Sequence, residues 1–143
     1  MKPDTQLAEY LDRTTFINKE GDVCEFTELQ KHDLNLVLQK RFALLNWQQG
    51  SGKTAAVYHR AKYLLKYRKV RNVIILAPAI ATNMTWVPFL TINRERFRMV
   101  RNNADLETVP EGVFLVLSTS MLGKLKRGLT KFIRRTSRKL CLV

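Results

Sequence analysis

A chain of 143 residues is one domain's worth, enough to bury a single adequate core, and its 45 % hydrophobic fraction reads as a globular fold. No apolar run approaches the roughly 18 residues of a spanning helix, and the polar start Met1-Lys2-Pro3-Asp4 does not read as a signal peptide; neither membrane insertion nor secretion is expected, and an intracellular protein, cytoplasmic or nuclear, is. The net charge of +13 is unevenly distributed: eight of twelve acids fall in 1–33 and four between Glu95 and Glu111, so 34–94 and 112–143 carry ten and eight bases with no acid, which points to a polyanionic partner, either nucleic acid or the phosphates of a nucleotide, with nucleic acid ahead of a surface basic only for solubility.

Taken in order, 4–13 has a weak helical pattern in Leu7, Ala8 and Leu11, and 19–22 reads as a turn; 1–26 is a lead-in segment without identifiable chemistry. Thr27 followed by Gln30 is a helix-cap signal, and Leu29, Leu34, Val37 and Leu38 continue at helical spacing. The apolar run 41–46 has strand character, and from Lys53 the spacing of Val57, Ala61, Leu64 and Leu65 is helical, ending in cations that suit a helix C-terminus. A strand buried on both faces is expected at 73–77, ended by Pro78. A helix follows over 82–90 with Met84, Val87 and Leu90 in register, although Pro88 would interrupt it. Alternation of Phe97 and Met99 with arginines predicts a half-exposed strand in 96–101, and 102–111 is a polar loop. A second buried strand is expected at 113–117. The helix 121–135 sets Leu122, Leu125, Leu129, Phe132 and Ile133 against a face of Lys124, Lys126, Arg127, Lys131, Arg134 and Arg135; a third apolar strand begins at 139. Strands alternating with helices imply an α/β fold, a parallel sheet flanked by helices, with ligands at the carboxyl ends of the strands.

The chemistry concentrates in Trp47-Gln48-Gln49-Gly50-Ser51-Gly52-Lys53-Thr54, between the expected strand and the expected helix. Gly50 and Gly52 let backbone N–H groups converge on phosphate oxygens, and the helix adds its positive end. Lys53 would reach the β and γ phosphates, and Thr54 would offer its hydroxyl to a phosphate-bound Mg²⁺. Measured against G-x-x-x-x-G-K-[ST], the first glycine is missing, because Trp47 stands there. Cys24 and Cys141 have neither metal nor redox spacing and read as reduced structural thiols, and His32 and His59 have no companion at ligand spacing.

The chain resembles the first RecA-like lobe of superfamily 2 helicases, most closely the Swi/Snf-type DNA translocases. QQGSGKT is similar to that family's motif I, whose shorter G-x-G-K-T form does not need a glycine at Trp47. VIILAPAIATNMTW resembles motif Ia, with one residue more than usual between Pro78 and Trp86; FLVLSTSML resembles motif Ib, with Ser118, Thr119 and Ser120 after a strand; and LQKHDL resembles the segment with the adenine-reading glutamine, here Gln30. The resemblance spans about 27–143, as a partial, incomplete helicase ATP-binding domain of the P-loop NTPase class.

The resemblance implies ATP and Mg²⁺ as cofactors, held by Gln30, Gln49, Gly50, Ser51, Gly52, Lys53 and Thr54. It also implies a nucleic-acid strand, DNA ahead of RNA, along Pro78, Ser118, Thr119 and Ser120, with Lys124 beyond. The residues leave plainer roles open: Gln30 as a helix cap, Ser118 or Thr119 as caps, and Trp86 as core rather than a base-stacking platform. Phosphoryl transfer requires carboxylates for Mg²⁺ and water, normally after a buried strand, and neither 73–77 nor 113–117 is followed by one. The expectation is an amino-terminal piece of a longer protein, whose remainder carries the motif II acids, the second lobe and its arginine finger; these residues would bind nucleotide but hydrolyse it poorly. A nucleic-acid-binding module without turnover and an unrelated P-loop nucleotide protein stand as alternatives.

Overall fold

The computed structural model describes residues 2–48, 52–67, 69–137 and 139–143, which fall into two compact units, Met1–Lys62 and Tyr63–Val143. In the first unit Asp4 caps α1 (Thr5–Asp12) by accepting the Leu7 N–H at 2.9 Å, and Leu7 and Leu11 are buried. Helix α1 packs on α2 (Glu28–Leu38). Asn35, only 2 % exposed, accepts from the Asp4 N–H and donates to the Asp4 carbonyl, both at 2.7 Å; an amide this deep is tolerable because both its ends are paired. Between the helices lies a two-stranded antiparallel hairpin, β1 (Thr15–Ile17) and β2 (Val23–Glu25), whose turn is held by Asn18 Oδ1 accepting the Glu20 and Asp22 N–H groups. The sequence predicts that turn but not the flanking strands, three residues each and too short for a period of two to register.

Helix α2 opens with the expected capping box: Thr27 Oγ1 accepts the Gln30 N–H at 3.2 Å and Gln30 Oε1 the Thr27 N–H at 2.9 Å. Leu34, Val37 and Leu38 are buried as expected, whereas Leu29 is exposed. The strand expected over 41–46 is absent. The segment is irregular, Phe42 and Leu44 are 81 % and 92 % exposed, and the carbonyls of Lys40 and Arg41 receive the Arg60 guanidinium. An apolar run becomes a strand only where a neighbouring edge takes its backbone groups, and no described strand pairs with this one. Helix α3 (Lys53–Lys66) begins where expected, but it buries Ala55, Ala56, Tyr58, His59 and Ala61. Val57, Leu64 and Leu65 are half-buried. The His59 ring packs edge-on against Phe26 and Tyr58, at 5.5 and 5.0 Å between centroids.

The second unit holds a four-stranded, wholly parallel sheet in the order β4-β5-β3-β6, made of β3 (Asn72–Ala77), β4 (Phe97–Met99), β5 (Phe114–Ser118) and β6 (Leu140–Leu142). All four strands expected here are present. Ile74, Leu115 and Leu117 join Leu125 and Phe132 of α6 (Leu122–Arg135) in one core, while Val73, Ile75, Phe114 and Val116 alternate to the opposite face and are buried too. Burial on both faces explains why these runs read as continuously apolar. At the start of β3 the fully buried Asn72 donates to the carbonyls of Pro110 and Val113, at 2.9 and 3.0 Å, anchoring the end of the 102–111 loop.

That loop contains a 3₁₀ turn, Asn103–Leu106, closed reciprocally: Asn102 Oδ1 accepts the Asp105 N–H, and the Asp105 carboxylate accepts the N–H groups of Asn102 and Arg101. The helix expected over 82–90 is longer and composite, with α4 (Ala79–Ala81), a π turn (Thr82–Trp86) and α5 (Val87–Ile92). The Val87 N–H reaches back five residues to the Thr82 carbonyl. A turn widened by one residue relieves the clash between a proline ring and the carbonyl four residues earlier, so Pro88 sits inside the helical segment instead of ending it. Trp86 is buried, the core role rather than a stacking platform, and the segment lies against β5.

Candidate nucleotide and nucleic-acid sites

In the first unit, the candidate phosphate site is the start of α3. Gly52 adopts φ +84°, and its carbonyl accepts the Ala56 N–H at 3.1 Å, so it is the residue from which the helix springs. Lys53 and Thr54 occupy the first turn, Lys53 exposed and Thr54 half-buried. N–H groups in a first helical turn have no partner within the helix and carry its positive end. Lys53 would stand unfavourably there without an anion; its Nζ instead donates to the Trp47 carbonyl at 2.9 Å. Gln49, Gly50 and Ser51, assigned to the same cradle, lie outside the described residues.

Gln30 comes to this loop. A Cβ placed on Gly52 would lie 3.2 Å from Gln30 Nε2, so glycine here supplies both the positive φ and the room for that amide. Gln30 thus uses its two ends differently: Oε1 closes the α2 cap while Nε2 lies beside the loop. A second anchor escaped the sequence reading. Asp33 Oδ2 accepts the Trp47 indole N–H at 3.0 Å, tying the approach to the loop onto α2. Its one available signal is that Asp33 follows Gln30 by three residues and therefore shares its helix face.

In the second unit, β3 and β5 run in register from Val73 opposite Phe114 to Ala77 opposite Ser118. Pro78 and Thr119, the next residues, therefore leave the sheet side by side at its carboxyl edge, and Ser118, Thr119, Ser120 and Pro78 are brought together as the sequence reading expects. The capping alternative is not realised, because neither the 3₁₀ turn Thr119–Met121 nor α6 has a side-chain cap. The Ser118 and Ser120 hydroxyls bond each other at 2.8 Å, and Thr119 and Ser120 are exposed. Lys124 lies in the first turn of α6, exposed, on the helix face that also carries Arg127 and Lys131.

Helix α6 is fixed to the 3₁₀ turn by a glycine contact the sequence did not signal. The Gly128 N–H donates to Asn103 Oδ1 at 3.0 Å, and a Cβ there would lie 2.5 Å from that oxygen and 3.2 Å from the Asn103 Cα. Arg135 donates to the Leu106 carbonyl and lies over the Phe132 ring, so this cation is structural. No helix among the described residues is long and apolar enough to cross a membrane. No model of a known protein family matches the chain, and no curated protein or solved structure matches it.

Proposed function

We propose that these residues are the ATP-binding part of a helicase-like, nucleic-acid-dependent ATPase of the superfamily 2, Swi/Snf-type class, with a P-loop of the RecA-like kind. The observation that carries the reading is the α3 start: a positive-φ glycine at the head of a helix, Lys53 and Thr54 on its first turn, and the Gln30 amide against the glycine. Such a helix end is a ready anion site, and Lys53 can exchange the Trp47 carbonyl for phosphate oxygens at little cost, since it is already exposed. Thr54 is the hydroxyl offered to Mg²⁺. The parallel sheet, with Pro78 and the Ser118 to Ser120 hydroxyls side by side at one edge, supports the nucleic-acid half of the reading. So does the π turn: one residue beyond the family's usual spacing from Pro78 to Trp86 is what a π turn absorbs, leaving Trp86 in the core.

The test is nucleotide binding. Lys53→Ala removes charge-assisted contacts worth about 1.5–3 kcal/mol each, roughly a ten- to hundredfold loss apiece. Titration with a fluorescent ATP analogue should show binding by the parent chain and none by the variant, with identical circular dichroism. Equal affinity of the two would remove the assignment.

A further inference from the structure

We infer that the exposed face of α6 is a second nucleic-acid surface, one that grips the phosphate backbone by charge and stands apart from the sheet edge at Pro78 and Ser118. Lys124, Lys126, Arg127, Lys131 and Arg134, with Thr130, line a shallow trough of about 460 Å³ along the helix. None of these cations makes an ion pair among the described residues, and α6 itself contains no acid. Glu107 lines an adjoining cavity with Arg127 and Lys131 but pairs with neither. Like charges three and four residues apart weaken a helix, so the row Lys124, Arg127, Lys131 and Arg134 is a standing repulsion that a polyanion would relieve.

Geometry selects the polyanion. From Lys124 to Arg134 the row covers about 15 Å of helix axis. Over that length one strand of a duplex presents about four phosphates, matching the four cations. Thr130 already donates to the Lys126 carbonyl, and the trough holds no aromatic side chain and no Asn or Gln. The lining cations match the backbone phosphates in number, and no Asn, Gln or aromatic side chain stands beside them, so the contact is to backbone and indifferent to sequence. This inference rests on the nucleic-acid half of the proposal above and not on its nucleotide half.

The experiment is the salt dependence of binding to a fluorescent duplex DNA of random sequence. The parent should give a slope of log K against log salt near −3 to −4, about −0.9 per phosphate neutralised. Lys124→Ala/Arg127→Ala/Lys131→Ala, all at exposed positions, should bring it to about −1. A control that removes the same charge elsewhere, Lys2→Ala/Arg13→Ala/Lys19→Ala, should leave the slope unchanged. Thr119→Val/Ser120→Ala, at the sheet edge, should weaken binding with the slope intact. Equal slope loss in the two triple variants would overturn the local site in favour of general charge. Displacement of the DNA by polyglutamate at equal charge concentration would overturn it in favour of an acidic protein. An unchanged slope in the α6 variant would overturn it outright.

Discussion

Gln30 closes the α2 cap with one end of its amide and lies beside Gly52 with the other, and the proposed second role can be separated from the first. Adenine is read by an amide offering a donor and an acceptor at once, but the Gln30 acceptor is already used by the Thr27 N–H. A two-point contact would open the α2 cap, at a cost of about 1 kcal/mol, whereas a contact through Nε2 alone leaves it closed. Gln30→Glu keeps the capping box, since glutamate closes it equally well, and replaces the amide donor with a carboxylate next to Gly52. Thermal stability should be unchanged while nucleotide affinity falls at least tenfold; a fall in both would make Gln30 a cap only. Asp105 is a residue-scale case of a carboxylate held by the backbone. Its carboxyl is held below the ordinary range, chiefly by the Arg101 N–H bonding the charged form, with the Asn102 N–H adding to it against partial desolvation. A carboxyl lowered in the folded state contributes stability that is full above its unfolded value, about 3.9, and disappears as pH falls through the folded value. The stability difference between the parent and Asp105→Asn, measured by denaturant unfolding, should therefore be present at neutral pH and vanish in acid; a difference independent of pH would mean the charge plays no part.

At the scale of elements, what the sequence discloses depends on whether an element's partner lies in its own pattern. The runs at 73–77 and 113–117 are legible because burial on both faces leaves a continuous apolar signature, and α6 because its two faces differ so sharply. The run at 41–46 has the same apolar look and is no strand, since pairing is a property of the neighbour and leaves no trace in the run itself. The π turn is half legible: Pro88 and the long Pro78-to-Trp86 spacing signal an irregularity, but not that the helix would continue through it. Of the candidate site, Gly52, Lys53 and Thr54 are readable from local spacing and Gln30 only as a cap, its site role coming from the resemblance, whereas Asp33 and Asn103 act through contacts 14 and 25 residues away that no window contains. Gly128 makes that kind of contact testable. By propensity Gly128→Ala should stabilise α6 by up to about 1 kcal/mol. Because the new methyl would meet Asn103 Oδ1 and Cα, the overpacking penalty of about 1–3 kcal/mol should win. Thermal unfolding should move down by several degrees, and a rise would show that the 3₁₀ turn yields freely.

For the whole molecule the question is what the chemistry on these 143 residues can complete. A phosphate cradle holds a nucleotide, but turnover also needs a carboxylate on Mg²⁺ and another group to place the attacking water. Such acids are expected after the ends of sheet strands, where ligands of open parallel sheets bind. Here the residues that follow β3 and β5 are Pro78 and Thr119, and two of the acids are held elsewhere, Asp105 on backbone N–H groups and Asp33 on the Trp47 indole. On the proposed reading, binding without turnover is expected. With Mg²⁺, ATP and saturating duplex DNA, phosphate release should stay at the level of the Lys53→Ala variant, even where the ATP analogue binds to the parent alone. Lys53-dependent release well above that level would mean that an acid already present serves the metal. Asp105→Asn, Glu107→Gln and Glu111→Gln, made one at a time, would then identify it, the carrier being the variant that loses turnover and keeps nucleotide affinity.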